Sequence, residues 1–210
     1  MALTLGSFVS QLTRTEGPRG PAPAYTPTHI IRLLLILDAE QTMGRISLSK
    51  RLGIGEGSVR TMIKKLVEMS IISVDAVGGC HLTDLGRSIV GDLKGVIVAS
   101  SSVDLNEMGI SLPSKAIQVR GLVIPDTSFT RLRDIGVRNG AEGMMIFVFR
   151  GDCIRLPMMT EAVDKEYPKI SRGIKSSFKL KEGDAVLVAF SEDANLAEQG
   201  AFSAVLSLIA

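Results

Sequence analysis

The sequence is poor in the residues that metal sites and acid–base catalysis most often use. Its 210 residues include two cysteines and two histidines. Cys80 and Cys153 form no CxxC or Cys/His spacing, so we expect reduced structural thiols rather than a disulfide framework or a zinc site. Both histidines, His29 and His81, lie in the first half, and this excludes histidine-based catalysis from the second half. We predict that His81 is structural and that the protein has no metal and no cofactor.

Long apolar runs and nucleotide-binding motifs are also missing. The most apolar run, 30–37, is interrupted by Arg32 and is much shorter than the roughly 20 residues that span a bilayer. The N-terminus lacks the basic, apolar and small-residue segments of a secretory signal. No GxxxxGK, GxGxxG or HExxH motif occurs. We therefore expect a cytoplasmic protein that is not an enzyme and does not contact a membrane.

The composition is that of an ordinary globular protein, with 45% hydrophobic and 22% charged residues. The length suits one large or two small domains. Residues 1–94 carry 11 basic and 8 acidic residues, whereas residues 95–210 carry 13 and 14. The positive excess therefore lies in the first half of the chain.

The first half contains a proline-rich start followed by helical and hairpin patterns. Residues 14–27 hold four prolines and two glycines, so we predict a flexible N-terminal arm over 1–27. The patterns that follow predict a largely buried helix at 28–37, helices at 47–52 and 58–69, a hairpin with strands at 71–77 and 80–82, and a helix at 83–93. We assign 28–94 to one domain.

A glycine-rich turn at 53–57 joins the second and third of these helices, which is the arrangement of a helix-turn-helix. The third helix has an apolar stripe and an opposite polar face that could enter the major groove of double-stranded DNA. Residues 44–70 carry six basic and two acidic residues, which favours phosphate binding. We assign DNA binding to Lys50, Arg51, Ser58, Arg60, Thr61, Lys64 and Lys65, with Arg60, Thr61 and Lys64 facing bases or phosphates. The alternative is an amphipathic scaffold with an ordinary solvated face.

Two segments of this domain resemble the winged-helix families of transcriptional regulators. Leu66-Val67-Glu68-Met69-Ser70-Ile71-Ile72 resembles the end of a recognition helix entering the wing, and Leu82-Thr83-Asp84-Leu85-Gly86-Arg87 resembles the strand-to-helix junction of those families. The resemblance implies a winged helix-turn-helix over 28–94. The wing tip, 75–79, contains no Lys or Arg, so minor-groove contacts by the wing are not expected.

The remainder of the chain predicts an α/β domain, so the fold class of the whole is α+β. We place a linker at 95–115, which includes a short strand at 96–99. We place strands at 116–124, 144–149, 153–156 and 185–190, and helices at 128–138, 160–167 and 195–208. The order βαββαβ plus one helix predicts a ferredoxin-like sandwich over 116–210.

Two stretches of this domain, 131–143 and 183–201, resemble an archaeal family of winged-helix proteins whose C-terminal domain has no assigned function. The resemblance implies the fold and a regulatory role. Loops at strand ends and helix termini can bind anions or small molecules, so we assign an effector site to Arg131, Arg133, Arg138, Glu198 and Gln199. The alternative is a set of solvated loops with a helix cap at Gly140.

These patterns together predict a DNA-binding transcriptional regulator whose second domain binds a small-molecule effector or dimerises. A homodimer is expected because helix-turn-helix proteins commonly read two half-sites. The helix at 196–208 and the helix after Thr83 are the candidate pairing surfaces, and both could equally be core. Two alternatives remain: a winged-helix adaptor that binds proteins, and a small-molecule enzyme whose winged helix does not bind DNA.

Overall fold

The computed structural model describes residues 3–13, 24–75 and 79–210, and its fold is mixed α and β. The chain divides into two compact units. Unit 1 comprises the described residues up to Leu93 together with Ala210, and unit 2 comprises Lys94–Ile209. The boundary lies one residue before the predicted end of the first domain.

A helix at the start of the chain corrects the predicted flexible arm. Helix α1, Leu5–Thr13, buries Leu5, Phe8, Val9 and Leu12. These positions follow the spacing i, i+3, i+4, i+7 of one helical face, and no proline interrupts them. The arm over 1–27 is therefore wrong for residues 5–13, while residues 14–23 lie outside the described part of the chain.

Unit 1 continues with the elements that the sequence predicts, in the predicted order. Their observed bounds are α2, Pro27–Glu40; α3, Arg45–Leu52; α4, Glu56–Glu68; β1, Ile72–Asp75; β2, Gly79–Leu82; and α5, Asp84–Val96. The two strands pair antiparallel, with Ile72 opposite Leu82. Helix α2 buries five large aliphatic side chains, Ile30, Ile31, Leu33, Leu34 and Leu37, as expected for the central helix of a small core.

The segment Leu82–Arg87 builds the junction between β2 and α5. The Thr83 Oγ1 atom accepts a hydrogen bond from the Gly86 N–H at 3.0 Å and donates to the Ser70 carbonyl oxygen at 2.7 Å. A Cβ atom on Gly86 would lie 2.1 Å from the Ile71 carbonyl oxygen. Threonine therefore caps the helix, and glycine permits the helix to approach the chain at Ile71.

Unit 2 is one antiparallel five-stranded sheet with helices. Its elements are β3, Ile97–Ser101; β4, Ser114–Val119; α6, Ser128–Arg138; β5, Gly143–Arg150; β6, Cys153–Arg155; α7, Val163–Glu166; α8, Pro168–Ser177; β7, Ala185–Phe190; and α9, Ala194–Ile209. The strand order is β3-β4-β7-β5-β6.

The predicted linker and the ferredoxin-like strand order are both wrong. Within 95–115, strand β3 pairs with β4, and Val103 and Leu105 are buried in the core, so this segment belongs to the sheet. In a ferredoxin-like sheet, the third strand of the βαββαβ order lies between the first and the second. Here that place is taken by β7, the last strand, and β6 lies at the edge.

Helix α8 is absent from the predicted elements, and it begins directly after the predicted helix at 160–167. Pro168 occupies the first turn, where a missing N–H costs nothing. Ile170 and Ile174 of this helix are buried in a cluster with Phe147 and Val188 of the sheet. The helix predicted at 160–167 is reduced to the single turn α7.

The last helix is part of the core. Helix α9 packs against β4, β7 and α6, and seven of its residues are buried. Glu198 of this helix forms an ion pair with Lys115 of β4. Lys115 lies on the opposite face of the sheet from its neighbour Ala116, which is buried in the core cluster, because side chains alternate along a strand. The apolar face of α5, including Ile89 and Leu93, is buried as well. The apolar sides of both candidate pairing helices are therefore core, which is the alternative that the sequence left open.

Candidate nucleic-acid interface

The turn between α3 and α4 is built by local hydrogen bonds and glycine. Gly53 ends α3 in the left-handed region, with φ of 70°, and its N–H donates to the Ser49 carbonyl oxygen at 3.0 Å. The Ser49 hydroxyl donates to the Ile54 carbonyl oxygen at 2.6 Å. Gly55 then precedes α4 in an extended conformation. These contacts fix the turn that joins α3 to α4.

Helix α4 presents one continuous exposed face. Its buried side consists of Val59, Met62 and Leu66. The exposed positions, which lie on the opposite side of the helix, are Glu56, Gly57, Arg60, Thr61, Lys64, Val67 and Glu68. We call these seven residues the α4 face. Three of the predicted DNA-binding residues therefore share one exposed surface, as the sequence predicted.

Arg60 is the cation on the α4 face that has no partner among the described residues. Lys64 has its Nζ atom 3.9 Å from Glu68 Oε1, but both side chains are more than half exposed, so this pair contributes little. The Thr61 hydroxyl donates to the Gly57 carbonyl oxygen of its own helix at 3.1 Å. Arg60 and Lys64 are therefore available to an external anion, and Thr61 retains its acceptor capacity.

The other four predicted DNA-binding residues flank the α4 face or lie on α3. Ser58 and Lys65 are half-buried along one edge of α4. Lys50 is exposed in the last turn of α3. The Arg51 guanidinium donates to Glu40 Oε1 at 2.8 Å, so part of its charge is already neutralised within the protein. Lys50 is therefore better placed than Arg51 to contact phosphate.

The hairpin of β1 and β2 adds little positive charge. Val74 and Asp75 are exposed on β1, and the described strands carry no Lys or Arg. The centre of the predicted wing tip, 76–78, lies outside the described residues. Any DNA contact of this unit must therefore rest mainly on α3 and α4.

The five predicted effector residues are divided between two helices of unit 2. Arg131, Arg133 and Arg138 are exposed on α6 and have no partner among the described residues. Glu198 of α9 has its Oε1 atom 3.0 Å from Lys115 Nζ, and Gln199 is half-buried. The three arginines are thus open to solvent, whereas Glu198 is already engaged with the sheet. Gly140 follows α6 with φ of 108°, as expected for a residue that ends a helix.

A buried charged cluster at one end of the sheet was not anticipated. Asp184 is 1% exposed and accepts hydrogen bonds from Gln118 Nε2 at 2.6 Å and from Arg120 Nε at 2.9 Å. Burial raises the pKa of Asp184, but hydrogen bonds from Arg120, the Lys181 N–H and Gln118 outweigh burial and hold that pKa below its usual range. This cluster ties β4 to the turn before β7.

The cysteines and acids do not form a metal centre in the described residues. Cys80 is buried and Cys153 is exposed, and burial raises the pKa of the Cys80 thiol. No three His, Cys, Asp or Glu side chains within 3–13, 24–75 and 79–210 are grouped so that they could hold a metal ion. None of the helices in these ranges has both the length and the apolar composition of a membrane span.

Both units are similar to described families over part of their length. Residues 30–88 match the family described as PH0730-like, N-terminal domain, and residues 110–208 match the domain of unknown function DUF4443. The two matches fall in unit 1 and unit 2 respectively.

One solved structure covers most of the chain. It is described as hypothetical protein PH0730 from Pyrococcus horikoshii OT3, is 27% identical, and superposes with a TM-score of 0.66 over 88% of this chain and 92% of that chain. No protein with curated annotation matches the chain. The family matches and this neighbour fit an archaeal family of proteins.

Proposed function

We propose that unit 1 is a winged helix-turn-helix that binds double-stranded DNA and that the protein is a cytoplasmic transcriptional regulator. The observation that carries this proposal is the α4 face, where Arg60 and Lys64 are available to a ligand. A glycine turn precedes this helix and a two-stranded hairpin follows it. An α-helix fits the major groove, where base edges can be read by hydrogen bonds.

The chemistry of the α4 face favours entry of its N-terminal half into the groove. The planar guanidinium of Arg60 can donate two hydrogen bonds to a guanine, and Lys64 can bind a base or a phosphate. Gly57 has open space where a Cβ atom would lie, so the backbone can approach a ligand closely there. Glu68 lies at the opposite end, where its charge would repel phosphate. Glu56, the acid at the N-terminal end, has its Oε2 atom 4.0 Å from the Nε atom of Arg45, which offsets part of its charge.

Lys50 and Lys65 supply the positioning contacts in this proposal. Lys65 lies at the edge of the α4 face and Lys50 in the last turn of α3, and neither has an ion-pair partner in the described part of the chain. Contacts to phosphate set the orientation of the protein on the duplex and carry no sequence information. Their loss should weaken binding equally for all sequences, unlike the loss of Arg60.

For unit 2 we propose effector binding or dimerisation that changes the DNA affinity of unit 1. The three exposed arginines of α6 support an anionic effector, because they have no acidic partner among the described residues. A homodimer is proposed because helix-turn-helix proteins commonly read paired half-sites one helical turn apart.

The test is binding to duplex DNA by fluorescence anisotropy at several salt concentrations. Operator candidates would come from a genome-wide map of bound DNA. Arg60→Ala should cost about 1–3 kcal/mol on a preferred sequence if Arg60 makes a bidentate base contact. The matched control is Arg150→Ala, which removes an exposed arginine at the end of β5 in unit 2. If the two variants bind the preferred sequence with equal affinity, Arg60 does not contact a base.

An adaptor function is the second candidate, because unit 1 also exposes three large aliphatic side chains. Ile46 on α3, Val67 on α4 and Val74 on β1 are 56%, 42% and 55% exposed. A protein partner would cover such residues, whereas a DNA backbone would not. If the protein does not bind duplex DNA at about 50 mM salt, or if its binding does not weaken as salt is raised, the adaptor replaces the DNA proposal.

A further inference from the structure

Charge in unit 2 is strongly segregated along the chain. Residues 165–181 carry six basic residues and one acidic residue, whereas the rest of 95–210 carries seven basic and thirteen acidic residues. The net charge of residues 95–210 is therefore close to zero although this half contains a strongly positive segment. Most of that segment is helix α8 and the residues on either side of it.

Helix α8 holds its cations on one exposed side. Ile170, Ser171 and Ile174 are buried, and the helix has no acidic residue. Lys169, Arg172 and Lys175 are exposed, and at 100° per residue they fall within about 120° of the helix circumference. We call these three residues the α8 face. Lys165 precedes them and Lys179 and Lys181 follow, all exposed.

Contacts with the rest of unit 2 hold α8 in place. The Glu107 carboxylate accepts hydrogen bonds from the N–H groups of Lys169 and Ile170 at 2.9 and 3.1 Å. Asp164 accepts from the Ser171 hydroxyl at 2.7 Å and pairs with Lys175. The α8 face is therefore carried by a helix that is fixed at its first turn and along its inner side.

Of the acids nearest in sequence to α8, only Asp164 forms an ion pair with the α8 face in the described ranges. Glu182 Oε2 accepts from the Gly151 N–H at 2.9 Å, and Glu166 pairs with the Thr160 hydroxyl. Asp164 pairs with Lys175. In the described ranges neither Lys169 nor Arg172 has an acidic side-chain partner. Such a surface attracts polyanions.

We propose that the α8 face is a second DNA-binding surface, which contacts the phosphate backbone of duplex DNA without reading sequence. The inference rests on the proposed function in that it uses the same ligand. A duplex fits better than a single strand, because single-strand binding uses exposed aromatic rings on which bases stack. The aromatic side chains beside α8, Tyr167 and Phe178, pack in the core cluster instead.

The experiment uses the full-length chain and a random-sequence duplex in a salt titration. Lys169→Gln/Arg172→Gln should lower the slope of log affinity against log salt by about 2, because each lost phosphate contact contributes roughly 0.9. The matched control is Arg87→Gln/Arg150→Gln, which removes the same charge from two exposed arginines that belong to neither proposed surface. The Lys169/Arg172 variant, here called the α8 change, and its control are each measured by themselves and in combination with Arg60→Ala/Lys64→Ala, here called the α4 change. Circular dichroism verifies that each variant is folded.

The combined variants separate this inference from the proposed function. Loss of the remaining binding when the α8 change is added to the α4 change supports the α8 face. An unchanged slope, or an equal fall with the Arg87/Arg150 control, overturns it. If the α4 change leaves duplex binding unchanged while the α8 change weakens it, the proposed recognition face fails and the α8 face stands. Tighter binding to anionic phosphatidylserine vesicles or to a single strand than to the duplex also overturns the inference.

Discussion

Gly86→Ala should destabilise unit 1, although alanine favours helices. The new Cβ atom would lie 2.1 Å from the Ile71 carbonyl oxygen, so α5 and the chain at Ile71 must separate. Two hydrogen bonds cross that contact: from the Thr83 N–H to the Ile71 carbonyl oxygen at 3.1 Å, and from the Thr83 hydroxyl to the Ser70 carbonyl oxygen at 2.7 Å. At about 1 kcal/mol each, less about 1 kcal/mol of helix propensity, the expected loss is about 1 kcal/mol.

Gly91→Ala on the same helix provides the control for this prediction. Gly91 is exposed and has no atom within 4 Å of the position of a Cβ, so the helix propensity should act alone and stabilise by up to about 1 kcal/mol. Urea unfolding followed by circular dichroism measures both changes, and hydrogen exchange of the Thr83 amide reports on the junction itself. Equal stability of the two variants, with the Thr83 amide equally protected, would refute the close-contact argument.

Two further predictions concern unit 2. Asp184→Asn should cost about 2 kcal/mol in urea unfolding, because it leaves the Arg120 guanidinium without its anionic partner. Because the folded pKa of Asp184 is lowered, its stabilisation is complete above the unfolded pKa of about 3.9 and is lost as pH falls through the folded value. The variant should therefore lose part of the acid dependence of stability, and an unchanged acid limb would contradict this. Met158→Gly should stabilise by about 0.5–1 kcal/mol in thermal unfolding, since Met158 has φ of 70°, where glycine is favoured; a lower Tm would contradict it.

The sequence was sufficient to predict an element whose own residues show the apolar spacing of its secondary structure. Helix α4 was predictable because Val59, Met62 and Leu66 recur at helical spacing, and the same spacing placed Arg60 and Lys64 on the opposite side. Helix α1 carried an equal signal in Leu5, Phe8, Val9 and Leu12, but the prolines after it led to the prediction of one flexible arm. Helix α8 was missed: the predicted helix stops at 167, whereas Pro168 lies in the first turn of a further helix.

The availability of each candidate residue was not predictable, because it depends on partners that are distant in sequence. Arg51 and Arg60 look equivalent in the sequence, yet only Arg51 meets an acid, Glu40, from another helix. Likewise Glu198 was grouped with the arginines of α6, but it pairs with Lys115 of a strand more than 80 residues away in the chain. Only side-chain packing decides which charges remain for a ligand.

The sequence by itself determined the order of elements from α2 to α5, the turn at Gly53, and the side of α4 that carries the cations. Each of these depends on residues within one or two helical turns of each other, so local spacing is enough. Tertiary structure alone decided the strand order β3-β4-β7-β5-β6 and the burial of α9. Strand pairing joins segments far apart in the chain, and alternation within a strand shows which face is buried but not which strand lies beside it.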